Sequence, residues 1–212
     1  MASVLKSKLG RIFTHRGAAD MWNDPAPVRE ELFSIERLEE HAESLAEAQK
    51  VTDTPKKVLR LAARLDNNAD HLLAAYRASA NAVEAGQEVV PAAEWLLDNY
   101  HVVEEQVWEI RSDLPPGYYK QLPKLADGPF AGYPRVFGIA WAFVAHTDSH
   151  FTTEALRSFL RAYQRVQPLT IGELWAVAIT LRIVLIENLR RLSDQIVRAH
   201  NLRFKANELA DR

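Results

Sequence analysis

Apolar residues return at steps of three and four along most of the chain. Ile35, Leu38, Ala42 and Leu45 form one run, and Val58, Leu61, Leu65, Ala69, Leu72, Tyr76, Ala80 and Val83 form a second that lasts about seven turns. Each is the stripe of an amphipathic helix. Asp53 or Thr54 is placed to cap the second helix, with Pro55 in its first turn, where a missing amide proton costs nothing, and Gly86 suits its end. A third helix opens at Pro91 and carries Leu96, Tyr100, Val103, Val107, Ile110 and Leu114. That near-heptad spacing predicts a helix lying along a neighbour at a shallow angle until Pro115, Pro116 and Gly117 stop it.

Residues 118–134 are rich in proline and glycine and read as a connector with one short helix at Tyr118 to Leu125. Arg135 to Phe151 is apolar nearly all round, through Val136, Ile139, Ala140, Trp141, Phe143 and Val144, so a central buried helix is expected there. Thr152 or Thr153 caps the next helix, which runs to Val166. After Pro168, Thr170 and Glu173 have the spacing of a reciprocal capping box, the start of a last long helix through Leu174, Ala178, Leu181, Leu185, Leu192 and Ile196. No strand-like alternation and no internal repeat stand out. The expected fold is all-α, a single multi-helix bundle-like domain of about seven helices. It occupies 30–200, after a basic segment at 1–29 and before a charged helix end at 201–212 that leads towards a further region. A split near Gln87 to Val90 is the alternative.

Composition narrows the function. With 48% hydrophobic and 25% charged residues in 212, the chain has enough apolar material to pack a core rather than stay disordered. A net charge of -2 gives no overall attraction to nucleic acid, and none is expected as a partner. The absence of cysteine excludes disulfides, thiolate nucleophiles and zinc-thiolate sites. The basic start lacks the apolar core of a secretory signal. The two most apolar stretches, Ile139 to Ala145 and Leu174 to Ile186, fall short of the ~20 residues that span a bilayer.

Chemistry is sparse. No glycine-rich phosphate loop, Gly-x-Ser-x-Gly elbow or Asp-x-Asp pair is present, so neither a catalytic residue nor a cofactor is expected. His101, Glu104 and Glu105 share a helical face, and His146, Asp148 and His150 share another if their helix continues. Together they are weak candidates for a metal site, and they lack the paired Glu-x-x-His order of di-iron bundles. Arg157, Arg161 and Arg165 recur every four residues as a basic stripe, a candidate docking face for phosphate, anionic lipid or acidic side chains. Lys6, Lys8, Arg11 and Arg16 alternate with Leu5, Leu9, Ile12 and Phe13, a short basic amphipathic pattern suited to weak contact with an anionic membrane. Tyr118, Tyr119 and Tyr133 are candidate sugar or partner contacts, since aromatic rings stack on sugars.

Four strings, ELFSIERLEEHAESLA, PAAEWLLDNYHVVEEQVWEIRSDLPPGYYKQLPKLADGP, YPRVFGIAWAFVAHTDSHF and LRAYQRVQPLTIGELWAVAITLRIVLIENLRRLSDQI, resemble the N-terminal region of bacterial cyclic β-1,2-glucan synthases, from about Glu31 to Ile196. The resemblance implies a very large inner-membrane enzyme that polymerises glucose from UDP-glucose, with its transferase and phosphorylase-like domains elsewhere. It supplies no catalytic residue in this region. Because the sequence stops at Arg212 within a charged helical stretch, before any transferase motif, a piece or truncated relative of such an enzyme is expected. The leading expectation is thus a non-catalytic helical domain on the cytoplasmic face of the inner membrane, docking on or regulating the rest of a glucan synthase. The alternatives are a stand-alone helical adaptor at that surface and, further off, a metal-dependent bundle enzyme.

Overall fold

The computed structural model describes Trp22, residues 24–55 and residues 59–210, without the side chains of 200, 201 and 203–210. Seven complete helices and one two-stranded ladder lie among them. In chain order they are α1 (Ile35–Ala48), β1 (Val51–Thr52), α2 (Leu61–Glu84), α3 (Pro91–Asp113), α4 (Pro116–Gln121), β2 (Lys124–Leu125), α5 (Arg135–Thr147), α6 (Thr153–Val166) and α7 (Ile171–Ala210). The class is all-α, as the periodicity predicts. The basic pattern at Lys6 to Arg16 lies outside the described residues.

Local signals place most helix ends. The Thr152 hydroxyl caps α6 by accepting from the Ala155 amide at 3.1 Å. At the start of α7 the capping box forms both ways: Thr170 Oγ1 accepts from the Glu173 amide, and the Glu173 carboxylate accepts from the Thr170 amide at 2.9 Å. Gly86, at φ +70, closes α2 in the left-handed region that glycine enters without strain.

Three boundaries differ from expectation. The second helix starts at Leu61, not near Pro55, because β1 pairs antiparallel with β2, Val51 opposite Leu125 and Thr52 opposite Lys124, and the Leu59 amide then donates to the Gly132 carbonyl. Two-residue strands are too short to show alternation. The short connector helix is Pro116–Gln121, begun by proline at its first position, where Tyr118 to Leu125 was expected. And α5 ends at Thr147 instead of Phe151, since Asp148 and Ser149 both adopt positive φ.

The described chain falls into two compact units. The first holds Trp22, Asp24 and residues 29–55, 59–60 and 114–181: α1, the ladder, α4, α5, α6 and the start of α7. Its centre is α5, buried at every position from Arg135 to His146, with Phe143 only 2% exposed and Trp141 7%. α1 packs along α6, setting Leu38, Ala42 and Ala46 among Ala155, Phe159, Ala162 and Tyr163. Gly138 on α5 is a close approach: a Cβ there would stand 2.7 Å from Gln49 Nε2 and 3.2 Å from Leu125.

The second unit holds residues 25–28, 61–113 and 182–210, which are α2, α3 and the remainder of α7. α2 and α3 pack against each other, so the chain is not divided at 87–90. Arg64 and His71 of α2 meet Glu187 and Asp194 of α7, which sets those two helices parallel. Asp66 with Arg111, and Tyr76 stacked on Tyr100 at 4.5 Å, set α3 antiparallel to α2. The buried line of α2 is Leu61, Leu65, Asn68, Leu72, Ala75, Ser79 and Ala82. It leaves the expected stripe at Asn68, whose amide turns inward to donate to Glu187 at 2.8 Å, shares Leu72 with it, and then runs through Ala75, Ser79 and Ala82 while Val83 is left exposed.

Candidate docking face

α6 separates its two sides sharply. Phe159 and Tyr163 are fully buried, and on the outer side Arg157, Arg161 and Arg165 are all exposed. The three do not act alike. Arg165 is tied back to α1, its Nε donating to Glu43 at 2.8 Å and a second nitrogen to Glu39 at 3.3 Å. Glu39 also accepts from the Ser158 hydroxyl, and this bond first, then Arg165, holds its carboxyl below the usual range. Arg157 and Arg161 pair with no carboxylate among the described residues. The basic stripe therefore offers two unpaired guanidinium groups, with the third serving the α1–α6 contact.

The tyrosines do not form the expected aromatic platform. Tyr119 and Tyr133 are buried; the Tyr119 hydroxyl donates to the Leu59 carbonyl, and Tyr133 accepts from Trp22 Nε1 at 2.7 Å with its ring against Phe137. Tyr118 is half-buried, and its hydroxyl donates to the Gly172 carbonyl. Beneath α4 the Lys124 ammonium, itself buried, donates to the Tyr119 and Leu122 carbonyls and satisfies the helix's last acceptors.

The two His and carboxylate groupings also come apart. His101, Glu104 and Glu105 are exposed on α3 in the second unit. In the first, the turn after Thr147 removes the shared face of His146, Asp148 and His150. Asp148 pairs with Arg29 at 3.2 Å, and His146 turns inward with Nδ1 2.8 Å from the Glu31 carbonyl. Among the described residues no three His, Asp or Glu side chains gather as a metal set.

What the structure assembles instead is a buried histidine pair. His41 of α1 and His146 of α5 have ring centroids 4.5 Å apart, and Phe33 stacks on His146 at 4.0 Å. Burial, reinforced by His146, pushes His41 down to about 4, and burial lowers His146 as well. The only signal in sequence is that His41 adjoins Ala42 in the apolar stripe of α1.

Each unit also buries an ion pair that residue spacing does not reveal. In the first, Arg135 clamps Glu173 through two nitrogens at 2.8 and 2.7 Å and donates to Gln167, which reaches the Gln49 carbonyl; Tyr163 donates to the Gln49 side chain. In the second, Glu187 accepts from Arg64, Asn68 and Arg191. Burial pushes its carboxyl up, but the two arginines outweigh burial and hold it below the usual range. Within each cluster the carboxylate is turned to its arginine partners. No helix among the described residues is long and apolar enough to cross a membrane.

No protein-family model matches the chain. A curated relative, the cyclic beta-(1,2)-glucan synthase NdvB of Rhizobium meliloti (strain 1021), is 44% identical over 184 residues, which cover 87% of this chain but only 6% of that protein. The chain is therefore similar to one small segment of a cyclic β-1,2-glucan synthase and spans 6% of that relative's length.

Proposed function

We propose that this chain is a non-catalytic helical region of a cyclic β-1,2-glucan synthase, lying on the cytoplasmic side of the membrane and docking on the transferase core that polymerises glucose from UDP-glucose. The observation that carries the reading is the outer side of α6, where Arg157 and Arg161 stand exposed and unpaired among the described residues beside a third arginine already neutralised by Glu39 and Glu43. Guanidinium groups held on a rigid helix suit an acidic partner surface, and such charges govern association far more than folding. The choice of the rest of a synthase polypeptide as partner is suggested by the similarity to NdvB.

Arg157→Glu with Arg161→Glu, introduced into this chain in its own cells, should cut the cyclic glucan recovered at least about tenfold if the reversed charges cost more than about 1.4 kcal/mol of docking. The purified variant should keep the wild-type circular dichroism and melting temperature. Wild-type glucan yield from the double variant would refute the docking role, and pelleting of the chain with anionic vesicles free of synthase would favour the membrane adaptor instead.

A further inference from the structure

The second unit is a bundle of three helices with an apolar groove on the side away from α2. Arg182 of α7 bonds Glu109 and Asp113 of α3, which fixes the two helices side by side at one end. Stepping back along α3 by sevens from Glu109 gives Val102 and Trp95. Stepping forward along the antiparallel α7 from Arg182 gives Leu189 and Ile196, with Leu185 and Leu192 on the outer edge. Counted from the Arg182 bonds, helical spacing brings Leu189 to about the level of Val102 and Ile196 to about that of Trp95. Trp95 is 52% exposed, Val102 42%, Leu185 37% and Leu192 41%, while Leu189 and Ile196 are half-buried. Six apolar side chains, four exposed and two half-buried, thus follow about three helical turns, a partly open face suited to the fourth helix of a four-helix bundle.

The rim identifies the occupant. Just outside Trp95 and Val102, the exposed edge of α3 carries Glu94, Asp98 and Glu105, a row of acids one helical step from the apolar floor. Two copies of this groove laid face to face would set acid against acid, and an anionic lipid surface would meet the same repulsion. A helix with an apolar face and basic flanks meets neither penalty. In NdvB the matched segment is 6% of the length, so nearly all of that polypeptide is available to supply one. We propose that the groove between α3 and α7, floored by Trp95, Val102, Leu189 and Ile196 and rimmed by acids, receives one amphipathic helix with Lys or Arg flanks from the remainder of a glucan-synthase polypeptide. This rests on the docking role proposed above and names its partner element.

The test places the photo-crosslinking residue p-benzoylphenylalanine at Leu192 of the full chain in its own cells, irradiates, and identifies the joined peptide by mass spectrometry. The expected product is a peptide from elsewhere in a glucan-synthase polypeptide, with apolar residues at steps of three and four flanked by Lys or Arg. Joining to a second copy of this chain, to its own residues 1–21 or to lipid, or no product at all, overturns the proposal. In parallel, Leu185→Glu with Leu192→Glu should lower glucan yield at least about tenfold. Leu185→Gln with Leu192→Gln, milder in folding terms, should lower it in the same direction, with circular dichroism unchanged. If Arg157→Glu/Arg161→Glu lowers glucan and the folded leucine variants do not, the groove assignment falls and the docking role stands; if neither set lowers it, both fall.

Discussion

His41 carries its imidazole on the buried side of α1, where it meets a second imidazole rather than a carboxylate. The charged groups around the pair are the backbone-tethered Glu30 and Glu31 on one side and Arg37 on the other, and Glu31 is already engaged by Arg37 at 2.7 Å. With the folded value near 4 and the ordinary one at 6.5, the unfolded chain takes up a proton at His41 that the folded chain refuses. Stability held above about pH 6.5 is therefore lost progressively as the pH falls towards 4, by at most about 3 kcal/mol from this residue. His41→Phe should reduce the drop in urea midpoint between pH 7.5 and 4.5 relative to wild type. Equal drops in the two proteins would show that His41 is charged in the fold. Phe143, among the largest fully buried side chains, offers a plainer measure: Phe143→Ala should cost about 3–5 kcal/mol in chemical denaturation, and a loss below about 1 kcal/mol would mean that α5 is not central.

At the scale of the elements, what the sequence shows and what it hides divide along the range of the interactions. Caps are local, so Thr152, the Thr170 and Glu173 box, and Gly86 were all readable from neighbours in the chain. The apolar fullness of α5 was readable too, because Arg135 to His146 leaves almost no polar face. Hidden were the contacts that join distant residues. Nothing near Asn68 says that Glu187 will accept its amide, so the face of α2 turned where the pattern did not, and nothing near Tyr119 or Tyr133 says that their hydroxyls are bound inside. Glu173 belongs to both kinds, since one carboxylate caps α7 and also neutralises Arg135 from α5. Its two duties separate by magnitude. Thr170→Ala removes only the cap and should cost about 1 kcal/mol, whereas Glu173→Gln strands a buried guanidinium and should cost about 3–5 kcal/mol. Similar losses from the two variants, by urea denaturation at neutral pH, would show that the ion pair adds nothing beyond the cap.

Across the two units, the buried Arg135 with Glu173 and the buried Glu187 with Arg64 and Arg191 are spent on structure. Each cluster pairs within itself, and the exposed groups on which the two proposals rest are arginines of α6 in one unit and apolar side chains beside an acidic edge of α3 in the other. Purified chain given UDP-glucose, or glucose 1-phosphate, should accordingly release no nucleotide or phosphate above the buffer rate. Sustained turnover in a product-release assay would show that a catalytic centre had been overlooked.

The order of the chain through the two units has a consequence for how the protein is made. Residues 61–113 are set into the chain between two parts of the first unit, so Val51 reaches its ladder partner Leu125 only after α2 and α3 have been synthesised in between. Closing across that insertion rather than across a short turn costs on the order of 2 kcal/mol more in chain entropy, and pairings so distant in sequence form slowly. The α2–α3 hairpin is local and can form first, but its unit then waits for the far half of α7, which follows the other described helices in the chain. Neither unit can finish early: α1 can meet α6 and α2 can meet α3 beforehand, but the part of each unit that α7 supplies is missing until α7 is made.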